Sequence, residues 1–295
     1  MVTRLSRIFF VSSLILSLAA SNLSLAASSL APGLAPVQAL SGDAEDLYRR
    51  RGEGRNTVHL ALAEYRKLLK GASGQDLIHI VHRISSLNIF EGEFLLLDSN
   101  HSERNPIFGE CREVIEHLAE ISEATDIYHY MKLMCSALWV ESATPLQLVG
   151  VGSYFKNYFN TFVTSDMNLR PDLGADPRIK GGGIFRTIAG IAASPMSNMV
   201  HPALPSLDKA MEMINLALAS PSHPANEYTG ADMYSNHRAK AEILIRMNRI
   251  PEGRALLEDS IAAIEELAED GDLPPGIEAE TLAEINKMRE ILGRL

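Results

Sequence analysis

Segments whose apolar residues recur at helical spacing follow one another from residue 43 to the end of the chain, with short connectors between them. Leu77, Ile78, Val81 and Ile84, for example, fall on one side of a single helix. Runs of strand-forming residues are scarce, and the periodic segments are dominated by Ala, Leu, Glu, Met and Arg, which favour helix. The pattern therefore predicts an all-α fold, with residues 43–295 forming a single domain.

Capping residues, glycines and prolines indicate where these helices begin and end. Asn56 and Ser206 are suited to cap helices, and Pro106 and Pro145 are suited to start them. The segment Arg170–Gly183 is rich in Pro, Gly and Asp, which predicts a connector. Besides a helix that follows Asn56, the predicted helices are Asp43–Arg51, Gln75–Leu87, Phe108–Ser122, Asp126–Ser142, Thr144–Asp166, Ile184–Ala193, Leu207–Ala219, Thr229–Asn248, Pro251–Glu269 and Ile277–Leu292.

The clearest internal repeat lies between Ala239 and Ala263. Small residues recur where the two helices of a pair would cross, and larger apolar residues lie one turn away. This spacing favours stacked tetratricopeptide-like helix hairpins, in a solenoid or a compact superhelix, over an irregular bundle with chance spacing. The residues assigned to close helix packing, in this unit and in two others, are Ala61, Ala210, Ala217, Ala241, Gly253 and Ser260.

The first 26 residues have the pattern of a secretory signal peptide. Arg4 and Arg7 precede an apolar stretch, and Ser24-Leu25-Ala26 suits a signal peptidase. Val37-Gln38-Ala39 is a weaker alternative, because it lies far beyond the apolar stretch. Residues 27–42 are predicted to be a flexible leader, and the mature chain has no further stretch long enough to span a membrane. We expect a periplasmic or secreted protein.

Two cysteines lie at equal distances from a predicted turn. Cys111 and Cys135 fall on consecutive predicted helices, each 12 residues from Glu123. In an antiparallel helix hairpin this placement sets the two residues opposite each other, so an oxidising compartment would favour a disulfide. Two buried thiols are the alternative, since free cysteine packs as a small apolar residue.

Composition and motifs argue against several classes of function. The net charge of −10 and the absence of a basic cluster with aromatic residues argue against nucleic-acid binding. No nucleophile, zinc or redox motif of familiar spacing occurs, so we expect no catalysis, no cofactor and no metal. His79 and His82 are one helical turn apart, but two histidines without a third ligand rarely bind a metal. Gly181-Gly182-Gly183 favours close helix approach or a hinge over a phosphate loop, because no Lys and Ser or Thr follow it.

An aromatic stripe on the helix after Pro145 suggests a ligand site. Core packing is the simpler explanation, and an apolar channel or groove is the functional one. Tyr130 on the preceding helix is a further candidate for the same space, and an arginine would suit an acid group on the ligand. The predicted ligand-binding residues are Trp139, Tyr154, Tyr158, Phe159, Phe162 and Arg186.

The order of glycines and prolines after Trp139 resembles a known family. Asp176-Pro177 leads into Gly181-Gly182-Gly183, then Gly190 and Pro195 follow, and after a spacer a helix begins at Leu207 and ends at Ser220-Pro221. This order resembles the T-component (TatT-like) family of TRAP transporters over less than half of the chain. The resemblance implies an exported tetratricopeptide-like body with an apolar tunnel, which docks a periplasmic solute-binding protein and self-associates into an oligomer. The chain departs from the family pattern because it lacks a cysteine for membrane anchoring.

Three functions follow from these observations, in order of preference. The first is an exported helical-repeat protein that binds a partner, a TRAP-type solute-binding protein, and an apolar acid in an interior cavity. The second is a periplasmic tetratricopeptide scaffold for envelope assembly that binds no small ligand. The third, a secreted helical enzyme, has the least support, since no motif selects catalytic residues.

Overall fold

The computed structural model describes residues 42–96, 100–121, 125–144, 182–193, 206–220, 228–274 and 276–295. These residues form an all-α fold of stacked helix hairpins, as the periodicity predicts, and no strand occurs among them. The helices are α1 Gly42–Arg49, α2 Arg55–Leu69, α3 Gly74–Phe90, α4 His101–Val114, α5 Thr125–Ser142, α6 Gly183–Ala193, α7 Leu207–Leu218, α8 Tyr234–Arg246, α9 Ile250–Asp270 and α10 Glu278–Arg294. Residues 1–41, which include the predicted signal peptide and nearly all of the leader, and the predicted helix Thr144–Asp166 beyond residue 144 lie outside the described residues.

Each helix packs against the next one along the chain, and α10 adds contacts that are remote in sequence. The C-terminal helix touches the 3₁₀ turn Arg51–Glu53 that follows α1 and the π-helical turn Glu91–Leu95 that follows α3. Arg51, almost fully buried, forms an ion pair with Glu280 of α10 and donates to Tyr48 O at 2.9 Å. The two ends of the described fold therefore meet, with the remaining helices between them.

Small residues allow close helix contacts at the positions that the repeat predicts. Ala61, Ala210, Ala217 and Ala241 are fully buried, and Ser260 is 4% exposed. A Cβ atom on Gly253 of α9 would lie 2.7 Å from Ile245 Cγ1 and 2.9 Å from Ala241 O of α8. The α8–α9 crossing is thus close enough that only glycine fits at this position.

A disulfide joins α4 to α5. Cys111 and Cys135 are bonded, with their Cα atoms 5.7 Å apart, and both residues are fully buried. Of the two alternatives that the sequence leaves open for these cysteines, the structure shows the disulfide.

Three predicted helix starts are wrong. Asn56 does not cap α2, because the helix begins one residue earlier, at Arg55, and its N-cap is Gly54. Pro106 lies inside α4, which begins at His101, because Arg104 in its first turn is buried and donates to Gly92 O at 2.8 Å. Proline favours the first turn of a helix and not its interior. The Arg104 contact therefore stabilises a helical turn ahead of Pro106 that the proline itself does not favour. The helix predicted from Thr229 begins at Tyr234, since the Thr229 N–H and hydroxyl both donate to Asp232 Oδ2 and form a turn instead.

Candidate ligand-binding cavity

A cavity of about 710 Å³ lies between the helices of the described fold. Its wall comes from α3, the π-helical turn, α4, α5, α6, α8 and α10, so elements far apart in the chain contribute. Most of its lining is apolar. The larger apolar side chains in the wall are Ile89, Phe90, Phe94, Met131, Met134, Leu138, Ile191, Met233, Ile245, Ile291 and Leu295.

Arg186 of α6 lies in the cavity wall. Its Nη1 donates to Asn236 Oδ1 at 2.7 Å, and the buried Asn236 in turn donates from Nδ2 to Gly230 O at 2.7 Å. Within the part of the chain that the structure describes, no carboxylate forms an ion pair with this guanidinium. Arg186 therefore keeps free N–H donors at the edge of an apolar space, where they suit a planar acid group.

Two glycines allow α6 to pack closely against α5 and α7, and this packing places Arg186 in the cavity wall. A Cβ atom on Gly182 would lie 2.6 Å from Ala217 O of α7, and one on Gly183 would lie 2.4 Å from the Tyr130 hydroxyl of α5. Gly182 also has a positive φ of 71°, which other residues rarely adopt. For these two glycines the structure shows close helix approach, the interpretation that the sequence favours over phosphate binding.

A network of charged side chains crosses one side of the cavity. Glu93 of the π-helical turn accepts from Arg104 of α4 at 3.1 Å and from Arg238 of α8 at 3.3 Å. Arg238 also donates to Glu284 of α10 at 2.6 Å and to Glu242 at 2.9 Å. Each of these three carboxylates has a guanidinium partner, as buried charges require.

Glu141, near the C-terminal end of α5, is the exception in this network. Its side chain is exposed and lines the cavity. No described cation forms an ion pair with it. Burial and the nearby carboxylates of Glu93 and Glu242 raise its pKa to about 7, against the weaker opposing effect of Arg104 and Arg238.

The predicted ligand residues do not all meet at this cavity. Arg186 and Tyr130 line it, whereas Trp139 does not, because its ring lies under the Arg112 guanidinium at 4.4 Å. Tyr154, Tyr158, Phe159 and Phe162 lie outside the described residues.

The two histidines on α3 have separate roles. His79 Nε2 lies 2.6 Å from Glu45 Oε1, whereas His82 lines the cavity. No group of three metal-binding side chains occurs among the described residues.

Sequence reasoning missed Glu141, Glu93, Glu242 and Arg238 as cavity residues. They come from α5, the π-helical turn and α8, which are far apart in the chain, so no local spacing brings them together. The available signal was a charged residue on the buried side of a helix, as with Arg238 between the buried Asn236 and Ala241.

Comparison with protein-family models, with curated proteins and with solved structures gives no match. None of the helices in the described ranges is both long and apolar enough to cross a membrane.

Proposed function

We propose that this protein binds a mostly apolar small molecule through an acid group, as an exported component of a solute-uptake system. The observation that carries the proposal is Arg186, a guanidinium that forms no ion pair with a described carboxylate, in the wall of a largely apolar cavity. An arginine fixed in this way is already oriented by Asn236, so binding an acid costs little further ordering.

The size and lining of the cavity support a small ligand. Its volume of about 710 Å³ falls within the range of small-molecule sites, which combine apolar walls with a few polar groups. Burying apolar surface of the ligand contributes roughly 25 cal/mol per Å² before the cost of immobilisation. The apolar walls would thus supply most of the affinity, and Arg186 would select the acid.

The proposed partner is a solute-binding protein of the TRAP type. Support for it comes from the glycine and proline order around Gly182 and Leu207 and from the helix-hairpin fold. Stacked hairpins commonly present surfaces to partner proteins. The N-terminal 26 residues support export to the periplasm, where such receptors work.

Titration calorimetry with dodecanoic acid tests the ligand-binding proposal. We expect saturable binding to the purified protein and a tenfold to hundredfold loss of affinity in Arg186→Gln, roughly the value of one charge-assisted contact. Arg254→Gln is the matched control, because Arg254 pairs with Glu258 on α9 and does not line the cavity. Absence of binding to the unaltered protein, or equal affinity in Arg186→Gln, would refute the proposal.

Cross-linking in the periplasm of the native cell tests the partner. We expect a solute-binding protein as the cross-linked species, and reconstitution of the complex from the two purified proteins. Cross-links to envelope-assembly proteins instead would favour the scaffold function.

A further inference from the structure

The hydroxyl of Tyr130 is a buried donor in the cavity wall with a weak acceptor. Tyr130 is only 4% exposed, and its hydroxyl donates to Met134 Sδ at 3.5 Å, its one hydrogen bond within the described fold. A thioether sulfur is a weak acceptor, whereas a buried tyrosine hydroxyl normally has a strong one. The hydroxyl therefore marks a position where an oxygen atom of a ligand would be favourable.

Tyr130 packs against the first turn of α6, the helix that carries Arg186. A Cβ atom on Gly183 would lie 3.0 Å from Tyr130 Cζ, so the phenol end of the side chain lies directly on the Gly183 backbone. Arg186 follows Gly183 by three residues, about 4.5 Å along the helix and on nearly the same face. Side chains on a helix lean toward its N-terminus, which brings the guanidinium back toward Gly183 and the tyrosine.

The charge of Arg186 acts on the Tyr130 hydroxyl. Burial raises the pKa of Tyr130, and the positive charge of Arg186 opposes that rise, as expected for two side chains close to each other. Because its pKa is raised, the hydroxyl keeps its proton at neutral pH and can donate it to a ligand. The neighbouring hydroxyl of Thr187 already donates to Gly183 O at 2.9 Å, so it does not compete for this role.

We propose that Tyr130 and Arg186 together form a carboxylate site, in which the tyrosine donates to one oxygen of the ligand and the arginine to the other. This inference rests on the proposed function, because it names the second donor and the ligand class of the same site. The ligand class is a free carboxylate with both oxygens unsubstituted, since only such a group offers two charged acceptors to two donors. When the acid binds, the hydroxyl exchanges a thioether contact for a charge-assisted one.

Calorimetry with dodecanoic acid and its methyl ester tests the second donor. The unaltered protein should bind the acid at least about tenfold more tightly than the ester. Tyr130→Phe keeps the ring and removes only the hydroxyl. It should lower the affinity for the acid about tenfold, as for a hydrogen bond to a charged group, and the affinity for the neutral ester about threefold or less.

Tyr128→Phe is the matched control, because it removes a hydroxyl from the same helix outside the cavity. The Tyr128 hydroxyl accepts from Lys132 Nζ at 2.6 Å and donates to Glu116 at 3.3 Å. Both affinities should stay within about twofold in this variant. The Tm of Tyr130→Phe without added ligand should stay within about 3 °C of the unaltered protein, since its hydroxyl has only a thioether partner. A larger fall would show that the fold itself uses the hydroxyl, against the proposal.

The outcomes separate this inference from the proposed function. If Arg186→Gln weakens binding of dodecanoic acid and Tyr130→Phe does not, the second donor is refuted and the proposed function stands. Equal losses of affinity for the acid and the ester in Tyr130→Phe would also refute it, because the substitution would then act through the shape of the cavity. If neither ligand binds the unaltered protein, both proposals fail.

Discussion

Glu141 is a carboxylate held in a setting that disfavours its charge. Because its pKa is raised from 4.5 to about 7, the unfolded chain releases this proton at lower pH than the folded protein does. Below about pH 4.5, Glu141 therefore does not lower the free energy of unfolding. Above that pH its ionisation destabilises the folded state increasingly, and the effect is complete above about pH 7. Glutamine at this position would keep the shape and remove the charge.

We expect Glu141→Gln to stabilise the protein without added ligand at about pH 8 and to leave its stability nearly unchanged at about pH 4.5. Urea unfolding at the two pH values measures this difference. Glu258→Gln on the exposed face of α9 is the control, and it should change stability little at either pH. An equal gain for Glu141→Gln at both pH values would show that charge is not the cause.

At the level of single helices, Gly253 sets how closely α9 crosses α8. A Cβ atom there would lie 2.9 Å from the Ala241 carbonyl oxygen, which belongs to the backbone and cannot rotate away. Gly253→Ala should therefore destabilise the protein by about 1–3 kcal/mol, although alanine normally favours helix over glycine. Gly109→Ala in α4 is the matched control, because the nearest atom to its Cβ, Trp139 Nε1, is 3.8 Å away, so stability should be unchanged or higher. Thermal unfolding of both variants measures the contrast, and a stabilised Gly253→Ala would contradict the close crossing.

Helix periodicity and small residues were enough to predict the class of fold and the α8–α9 contact. Ser206 also acts as predicted, since its hydroxyl accepts from Lys209 N at 3.1 Å at the start of α7. Local signals failed where a tertiary contact decided the outcome, as where Arg104 holds the first turn of α4 ahead of Pro106. The ion pairs of the charged cavity residues could not be predicted for the same reason. Whether Glu141 has a partner depends on helices far away in sequence.

At the scale of the whole molecule, α10 turns a chain of nearest-neighbour hairpins into a closed arrangement. In an open solenoid each repeat contacts only its neighbours, so damage at one end stays local. Here Glu280 of α10 binds the buried Arg51 beside α1, with its Oε1 accepting from Nε at 3.2 Å. The last helix is thereby coupled to the first, and the same helix carries part of the cavity wall.

Removing this contact should weaken both ends of the described fold at once. Glu280→Ala leaves Arg51 buried without its carboxylate, so we expect a loss of about 3 kcal/mol in the free energy of unfolding. Glu290→Ala on the same helix removes only an exposed pair with Arg294 and should cost less than about 1 kcal/mol. Hydrogen exchange should show that amides of α1 and α10 lose protection together in Glu280→Ala. If α10 and α1 stabilise each other, exchange should become faster in both helices. Faster exchange confined to α10 would mean that the described helices behave as an open solenoid.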